Sequence, residues 1–119
     1  MNRIGFWKEE PGTAEAVAEV MRLIEPEWSM TREARACVQY MKAGIITESY
    51  MGHACNRITG RALGCSDMVS PDGKWAYPEL WWDYINNQSV RIENKEFIED
   101  AVRWCIDRFH KTGETWADK

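Results

Sequence analysis

The sequence predicts a single α+β domain of 119 residues, with two N-terminal helices, a small antiparallel sheet of two or three strands containing a hairpin, and two C-terminal helices. Two kinds of periodicity support this fold class. Apolar residues recur at three- and four-residue steps towards both ends of the chain, as on one face of a helix. The middle contains short strand-like runs bounded by glycine and proline. A chain of this length buries about two-thirds of its unfolded surface, so neither a disulfide nor a metal ion is obligatory.

The N-terminal part of the chain predicts an extended arm followed by two amphipathic helices. Residues 1–12 begin with an apolar patch and end in a Pro-Gly turn signal, so we expect an arm lying against the core. Thr13 is positioned to cap a first helix that ends before the next proline. Ser29 is positioned to cap a second helix over residues 30–43, with Gly44 as its C-terminal cap. The expected inward residues are Val17, Val20, Met21 and Ile24, then Met30, Ala34, Cys37, Val38 and Met41.

The middle of the chain predicts strands joined by a tight turn. Residues 45–50 and 62–69 are expected to form two strands, and residues 74–77 form the return strand of a hairpin. The connecting turn is Pro-Asp-Gly at 71–73, in which proline presets one backbone angle and glycine supplies a positive φ.

Two further helices are predicted after the hairpin. Pro78 suits the first position of a helix over 78–87, and Glu79 complements the positive end of its dipole. Asn94 is positioned to cap the last helix, over 95–111, whose acidic residues come early and basic residues late. The expected inward residues are Leu80, Trp81, Tyr84 and Ile85, then Ile98, Ala101, Val102, Cys105 and Phe109.

Charge and hydropathy exclude two classes of partner. The formal net charge is -4 and no run of Lys and Arg offsets it, so nucleic acid is not an expected partner. No segment approaches the ~20 apolar residues that span a bilayer, and the N-terminus lacks the apolar core of a signal peptide. We therefore expect no membrane partner and a cytoplasmic location. There the four cysteines are expected to be reduced thiols: Cys37, Cys55, Cys65 and Cys105.

A set of motifs in the central stretch resembles a known family. The residues that carry the resemblance are 56–60 (NRITG), 63–64 (LG), 72–79 (DGKWAYPE), 83–84 (DY) and 88–92 (QSVRI). Together they resemble the pattern C-R-x-C-G, then D-G-x-W-x-W/Y-P-E-G, then H-Y-x-x-x-H and V-R, of a family of small uncharacterised bacterial proteins.

The resemblance implies the fold of that family without its metal. In the family, two cysteines and two histidines look like a closed four-ligand zinc site. The four matching positions here are Asn56, Thr59, Asp83 and Gln88. Two amides, a hydroxyl and one carboxylate serve zinc poorly, so neither a metal nor another cofactor is expected. We expect these four side chains to bond to one another instead, since buried polar groups without partners are costly.

Two alternative roles are open to the cysteines and the histidine of the central stretch. A zinc site rebuilt from His53, Cys55 and Cys65 with Asp83 is disfavoured, because the cysteines lie ten residues apart across a predicted strand. Nucleophilic catalysis by Cys55 with His53 is disfavoured, because no third group is evident to orient the imidazole. For general acid and base work, Asp67 and Asp72 straddle the predicted hairpin turn, which is an ordinary solvated location. No catalytic motif is recognisable.

The strongest candidate for a binding surface is a set of aromatic and acidic residues around the hairpin: Trp75, Tyr77, Glu79, Trp81, Trp82, Asp83 and Tyr84. Aromatic faces beside carboxylates suit a small cationic or flat aromatic ligand, but the same rings also suit the core of a small fold. Adjacent helical residues point about 100° apart, so Trp81 and Trp82 cannot both face one core. We expect Trp82 to be exposed, which favours a homo-oligomer or a protein partner.

The sequence therefore favours a non-enzymatic binding or protein-interaction module. A small-molecule binder that uses the aromatic and acidic cleft is the alternative, and an enzyme of unrecognised type comes third.

Overall fold

The computed structural model describes residues 2–4, 14–55, 62–79 and 81–112, and within these ranges it describes side chains except at 16, 48–66 and 110–112. The described residues form five helices and four strands, and they confirm the predicted α+β class. The elements in chain order are β1 (Asn2–Arg3), α1 (Ala14–Met21), α2 (Pro26–Ser29), α3 (Arg32–Lys42), β2 (Ile45–Cys55), β3 (Ala62–Val69), β4 (Trp75–Pro78), α4 (Trp82–Gln88) and α5 (Lys95–Thr112).

The four strands form one mixed sheet in the order β1-β4-β3-β2. β3 pairs antiparallel with both β2 and β4, whereas β1 runs parallel to β4, with Asn2 opposite Trp75. The expectation of a purely antiparallel sheet of two or three strands is therefore wrong at this edge. The described part of the N-terminal arm pairs with the free side of β4, because an extended segment can satisfy its own backbone groups there. β3 has the predicted bounds, whereas β2 continues to Cys55 by pairing with β3 across register shifts.

The predicted turn joins β3 to β4. Gly73 has a φ of +77°, in the left-handed region that glycine adopts at little cost. Its backbone N–H donates to the carbonyl of Ser70 at 2.9 Å, and the N–H of Ser70 donates to the carbonyl of Trp75 at 2.8 Å. The turn chemistry recognised in the sequence is thus confirmed.

The start of α3 differs from the prediction. α1 ends before Pro26, as expected, but Pro26 then begins the separate short helix α2, which contains Ser29. The cap of α3 is Thr31, whose Oγ1 accepts a hydrogen bond from the backbone N–H of Ala34 at 3.2 Å. Ser29 is therefore wrong as the cap. Met30, expected to face inward, lies between the two helices and is 84% exposed.

Gly44 serves a different purpose from the predicted one. The C-cap of α3 is Ala43, in an ordinary right-handed conformation. A Cβ added at Gly44 would lie 2.0 Å from the hydroxyl oxygen of Tyr77 and 2.6 Å from the carbonyl oxygen of Val69. The hydroxyl is held there because it donates to the carbonyl of Met41 at 2.8 Å. Glycine is therefore needed for the close approach of the chain to the sheet.

The segment after the hairpin also differs from the prediction. Pro78 pairs with Asp67 at the end of β4, and α4 begins at Trp82. Glu79 consequently lies outside the first turn of a helix. The strand continues because Pro78 sits at its last position, where a missing N–H breaks little of the ladder. α5 agrees closely with the prediction, and the Oδ1 atom of Asn94 accepts from the N–H of Phe97 at 3.1 Å.

The core lies between the sheet and the helices α3 and α5. The ring of Tyr40 in α3 contacts the rings of Phe97 and Trp104 in α5, with centroids 5.4 Å and 5.8 Å apart. Phe97 in turn meets Trp75 of β4 edge to face, at 5.3 Å. Three expected inward residues lie instead on the surface: Met21, Ile24 and Met30.

The helix α5 carries a mixture of apolar and charged residues along its length. Neither it nor another helix in the described ranges is both long enough and apolar enough to cross a membrane.

Candidate functional site

Most of the predicted aromatic set lies in the core. Trp75, Tyr77, Trp81 and Tyr84 are each no more than 3% exposed. Their ring faces are covered by other parts of the protein, so the structure places them in the second of the two roles that the sequence left open. Trp82 differs from the expectation of a freely exposed ring, because it is half-buried and packs against the core.

The acidic members of the set do not share one environment. Glu79 is half-buried in the connection between β4 and α4. Asp83 is buried, and its Oδ1 atom accepts a short hydrogen bond from the side-chain amide of Asn87, one turn later in α4. The spacing of four residues between Asp83 and Asn87 is the signal that would have found this pair in the sequence.

The predicted network of Asn56, Thr59, Asp83 and Gln88 stays a prediction. Gln88 is half-buried at the end of α4, whereas Asn56 and Thr59 lie outside the described residues. The carboxylate of Asp83 is engaged within its own helix, and amide and hydroxyl donors suit zinc poorly, so these residues do not fit the metal.

The alternative zinc site stays a prediction. The side chains of His53, Cys55 and Cys65 lie outside those that the structure describes. Among the side chains that it does describe, no three from His, Cys, Asp and Glu come together as a metal site would require. The thiols of Cys37 and Cys105 are buried and free, as predicted for small core residues.

A polar cluster that the sequence did not predict lies where the hairpin turn meets α3. The Oδ1 atom of Asp72 accepts hydrogen bonds from the hydroxyl of Tyr40 at 2.5 Å, from the hydroxyl of Ser70 at 2.6 Å and from the backbone N–H of Lys74 at 3.2 Å. The Oγ atom of Ser70 also accepts from the backbone N–H of Trp75 at 3.0 Å. The cluster therefore fixes the turn and ties it to α3.

Asp100 makes the matching connection to α5. Its Oδ2 atom accepts from the indole N–H of Trp75 at 2.8 Å. Its Oδ1 atom lies 3.7 Å from Nζ of Lys74 and accepts from the guanidinium of Arg103 at 3.0 Å. One carboxylate thus provides the acceptor for the indole N–H of a buried tryptophan and joins the hairpin to the last helix.

The electrostatics of the cluster favour a structural role. Burial, and then the hydrogen bond to the carboxylate of Asp72, raise the pKa of Tyr40 well above its ordinary value. Burial also acts to raise the pKa of Asp72, but hydrogen bonds from Ser70 and Tyr40 outweigh it and leave that pKa below its ordinary value. Near neutral pH the phenol is therefore a fixed donor and the carboxylate a fixed acceptor. Neither group is suited to exchange protons with a substrate.

A groove lies on the outer side of α5. It is an open depression of about 450 Å³, lined by Glu33 of α3 and by Ile98, Glu99, Val102, Arg103 and Ile106 of α5, and we call it the α5 groove. Ile98 and Val102, expected to face inward, are only half-buried, and Ile106 is 53% exposed. The four-residue spacing of these three side chains makes one apolar stripe along the helix, bordered by charged groups.

Comparison of the chain with protein-family models, with curated proteins and with solved structures finds no match. The resemblance of the central motifs to a bacterial family therefore stays a prediction, and the geometry of the molecule itself is the guide to its function.

Proposed function

We propose that the protein is a non-enzymatic interaction module that binds another protein chain through the α5 groove. The observation that carries this proposal is the stripe formed by Ile98, Val102 and Ile106, which is left partly open beside the buried face of α5. Apolar side chains in a row with charged neighbours are typical of a surface that is covered by a partner.

The aromatic and acidic set supports the alternative of a small-molecule binder less well. Burial of Trp75, Tyr77, Trp81 and Tyr84 leaves their faces occupied by neighbouring side chains. A cationic ligand would need an open ring face beside a carboxylate. Asp100, a carboxylate beside Trp75, already accepts the indole N–H of that residue.

An enzyme is also less well supported. The hydroxyl of Tyr40 is committed to Asp72, and the hydroxyl of Ser70 donates to the same carboxylate. Burial raises the pKa of Cys105 to about 12, which opposes formation of a thiolate. These groups are stabilised in their resting forms, whereas a catalytic group needs a pKa near the working pH.

A photo-crosslinking experiment in living cells tests the proposal. The amino acid benzoylphenylalanine would replace Ile106, within the α5 groove, or Glu96, an exposed residue of the same helix that does not line the groove. We expect irradiation to give a protein adduct of defined mass from position 106 and none from position 96. Absence of an adduct at 106, or equal adducts at both positions, would overturn the proposal.

A further inference from the structure

We propose that Asp72 and Gly73 are a site of isoaspartate formation, which the hydrogen bonds of the folded hairpin turn keep closed. This modification lies outside the proposed function, because it alters the turn and involves no partner at the α5 groove. The two residues lie at the tip of the hairpin between β3 and β4, and both are exposed to water.

Isoaspartate forms when the side chain of an aspartate reacts with the backbone amide that follows it. Here the amide nitrogen of Gly73 bonds to the carboxyl carbon of Asp72, and the carboxyl hydroxyl leaves as water with the amide proton. The product is a succinimide ring. Water then adds to one of its two carbonyl carbons and breaks the bond from that carbon to nitrogen, which yields either aspartate or isoaspartate. No oxidant, reductant or other co-reactant is needed.

Gly73 is the following residue that hinders this reaction least. It has no side chain to keep its nitrogen away from the carboxyl carbon, and nothing lies within 4 Å of the position that a Cβ would occupy. Every other aspartate in the chain precedes a residue that has a side chain. The sequence therefore makes position 72 the most reactive aspartate once the chain is unfolded.

The folded turn opposes the reaction at the carboxyl group. The Oδ1 atom of Asp72 accepts from the hydroxyl of Tyr40 at 2.5 Å and from the hydroxyl of Ser70 at 2.6 Å. Burial acts to raise the pKa of Asp72, but these hydrogen bonds outweigh it and leave that pKa below its ordinary value. A carboxylate must take up a proton before it can lose an oxygen as water. A carboxylate that is held ionised therefore reacts slowly.

The folded turn opposes the reaction at the amide nitrogen as well. The N–H of Gly73 donates to the carbonyl of Ser70 at 2.9 Å, and the N–H of Lys74 donates to Oδ1 of Asp72 at 3.2 Å. These two hydrogen bonds fix the carboxylate and the backbone of the turn relative to each other. The nitrogen can reach the carboxyl carbon only after they break, so the rate depends on how often the turn opens.

Conversion to isoaspartate prevents the turn from closing again. The backbone then passes through the former side chain of residue 72, which lengthens it by one carbon, and the free carboxylate is attached directly to Cα. In that position the carboxylate no longer reaches the donors on Tyr40, Ser70 and Lys74, so the hairpin loses its connection to α3. Isoaspartate at position 72 therefore marks the molecules whose turn has opened.

Incubation of the full chain near neutral pH in water labelled with heavy oxygen tests the proposal. Hydrolysis of the succinimide places one labelled oxygen at residue 72, whichever product forms. Mass spectrometry of the tryptic peptide 62–74 measures the label, and Asp67 in the same peptide is the internal control because Met68 follows it. We expect label at position 72 in wild type unfolded in urea, and incorporation slower by about tenfold or more in the folded wild type.

Three variants locate the protection and the reaction. Tyr40→Phe removes one donor to Asp72 and should speed the labelling of the folded protein about tenfold. Tyr77→Phe removes a hydroxyl that donates to the carbonyl of Met41 instead, so it should label as slowly as the wild type. Gly73→Ala, compared in urea, should slow the labelling, because the added methyl group shields the nitrogen. Circular dichroism checks that the two tyrosine variants remain folded.

Each result decides for or against the proposal. Rapid labelling of folded Tyr40→Phe, with slow labelling of Tyr77→Phe and of the wild type, supports it. Equal rates in folded and unfolded wild type overturn it, and this comparison needs no variant to fold. An unfolded chain that takes up no label at position 72, or labels equally fast as Gly73→Ala, also overturns it. Equal acceleration by both tyrosine substitutions overturns it too, because the protection then comes from overall stability and not from the hydrogen bonds to Asp72.

Discussion

Gly44 shows how much one missing side chain can matter. An added Cβ would lie 2.6 Å from the carbonyl oxygen of Val69, which is fixed in the sheet, and 2.0 Å from the hydroxyl oxygen of Tyr77. We expect Gly44→Ala to lower the free energy of unfolding by about 1 to 3 kcal/mol, because the packed interior has no room for the extra carbon. Urea denaturation monitored by tryptophan fluorescence measures this loss.

Gly73 provides the matched control, since it has nothing within 4 Å of an added Cβ but a φ of +77°. Gly73→Ala should cost about 1 to 2 kcal/mol through backbone strain alone. Tyr77→Phe removes the atom closest to Gly44, so its effect should couple with Gly44→Ala and simply add to Gly73→Ala. If the effect of Tyr77→Phe simply adds to that of Gly44→Ala, as it should to that of Gly73→Ala, the packing explanation is contradicted.

Asp72 makes the stability of the folded protein depend on pH in the acidic range. Because hydrogen bonds leave its pKa in the folded protein below the ordinary value, the unfolded chain binds the proton more readily. Its stabilising contribution is therefore present above the unfolded pKa of about 3.9 and is lost as the pH falls through the lower folded pKa. We expect Tyr40→Phe, which removes one donor, to flatten this acid part of the stability profile and to cost about 1 kcal/mol at pH 7.

The control for this prediction is Tyr77→Phe. The hydroxyl of Tyr77 donates to the carbonyl of Met41 and makes no hydrogen bond to Asp72. We therefore expect the free energy of unfolding of Tyr77→Phe, measured between pH 2 and 7, to change with pH as steeply as that of the wild type. This pH range extends on both sides of the ordinary carboxyl pKa of about 3.9. If the free energy of unfolding of Tyr40→Phe also changes with pH as steeply as that of the wild type, Asp72 is not the cause of the pH dependence.

At the level of elements, the structure distinguishes between Ser29 and Thr31 as the N-terminal cap of α3. Thr31 accepts the N–H of Ala34 at 3.2 Å, whereas the hydroxyl of Ser29 donates to the carbonyl of Pro26 at 2.8 Å. We expect Thr31→Ala to cost about 1 kcal/mol, since an N-terminal amide loses its acceptor, and Thr31→Ser to cost much less. Thermal unfolding measures both. A larger loss from Ser29→Ala than from Thr31→Ala would favour the cap first suggested by the sequence.

Elements that are determined locally were predicted well. Strand β3 has its predicted bounds, the turn at Gly73 has the expected positive φ, and Asn94 caps α5. Two predictions that were wrong, the purely antiparallel sheet and the helix start at Pro78, depend on pairing partners far along the chain. Pro78 is compatible with either a helix start or a strand end, and only the contact with Asp67 in β3 decides between them.

At the scale of the whole molecule, Cys37 and Cys105, the cysteines whose side chains the structure describes, are both buried. Burial raises the pKa of both Cys37 and Cys105, the latter to about 12. We expect both thiols to react with iodoacetamide at pH 8 only as fast as the protein unfolds, because neither is ionised or accessible in the folded state. Peptide mass spectrometry distinguishes them from Cys55 and Cys65. Rapid labelling without denaturant would show that the core around α3 and α5 opens on its own.

The candidate site was harder to predict than the fold, for a reason that applies to the molecule as a whole. The cluster of Tyr40, Ser70 and Asp72 brings together residues 32 positions apart, so only the short spacing from Ser70 to Asp72 was visible in the sequence. The α5 groove posed a different difficulty. Its apolar residues follow the helical period that predicts a core face, and period alone cannot show that part of the stripe stays at the surface.

The parallel pairing of β1 with β4 has a consequence for the order in which the protein assembles. Asn2 and Arg3 find their partners only at Trp75 and Ala76, so this contact closes a very long loop, which slows its formation. Until then the outer edge of β4 has unpaired backbone groups, which can attract a strand from another molecule. Sheet edges left open late in folding are sites where newly made chains associate wrongly, and in this protein β1 covers that edge.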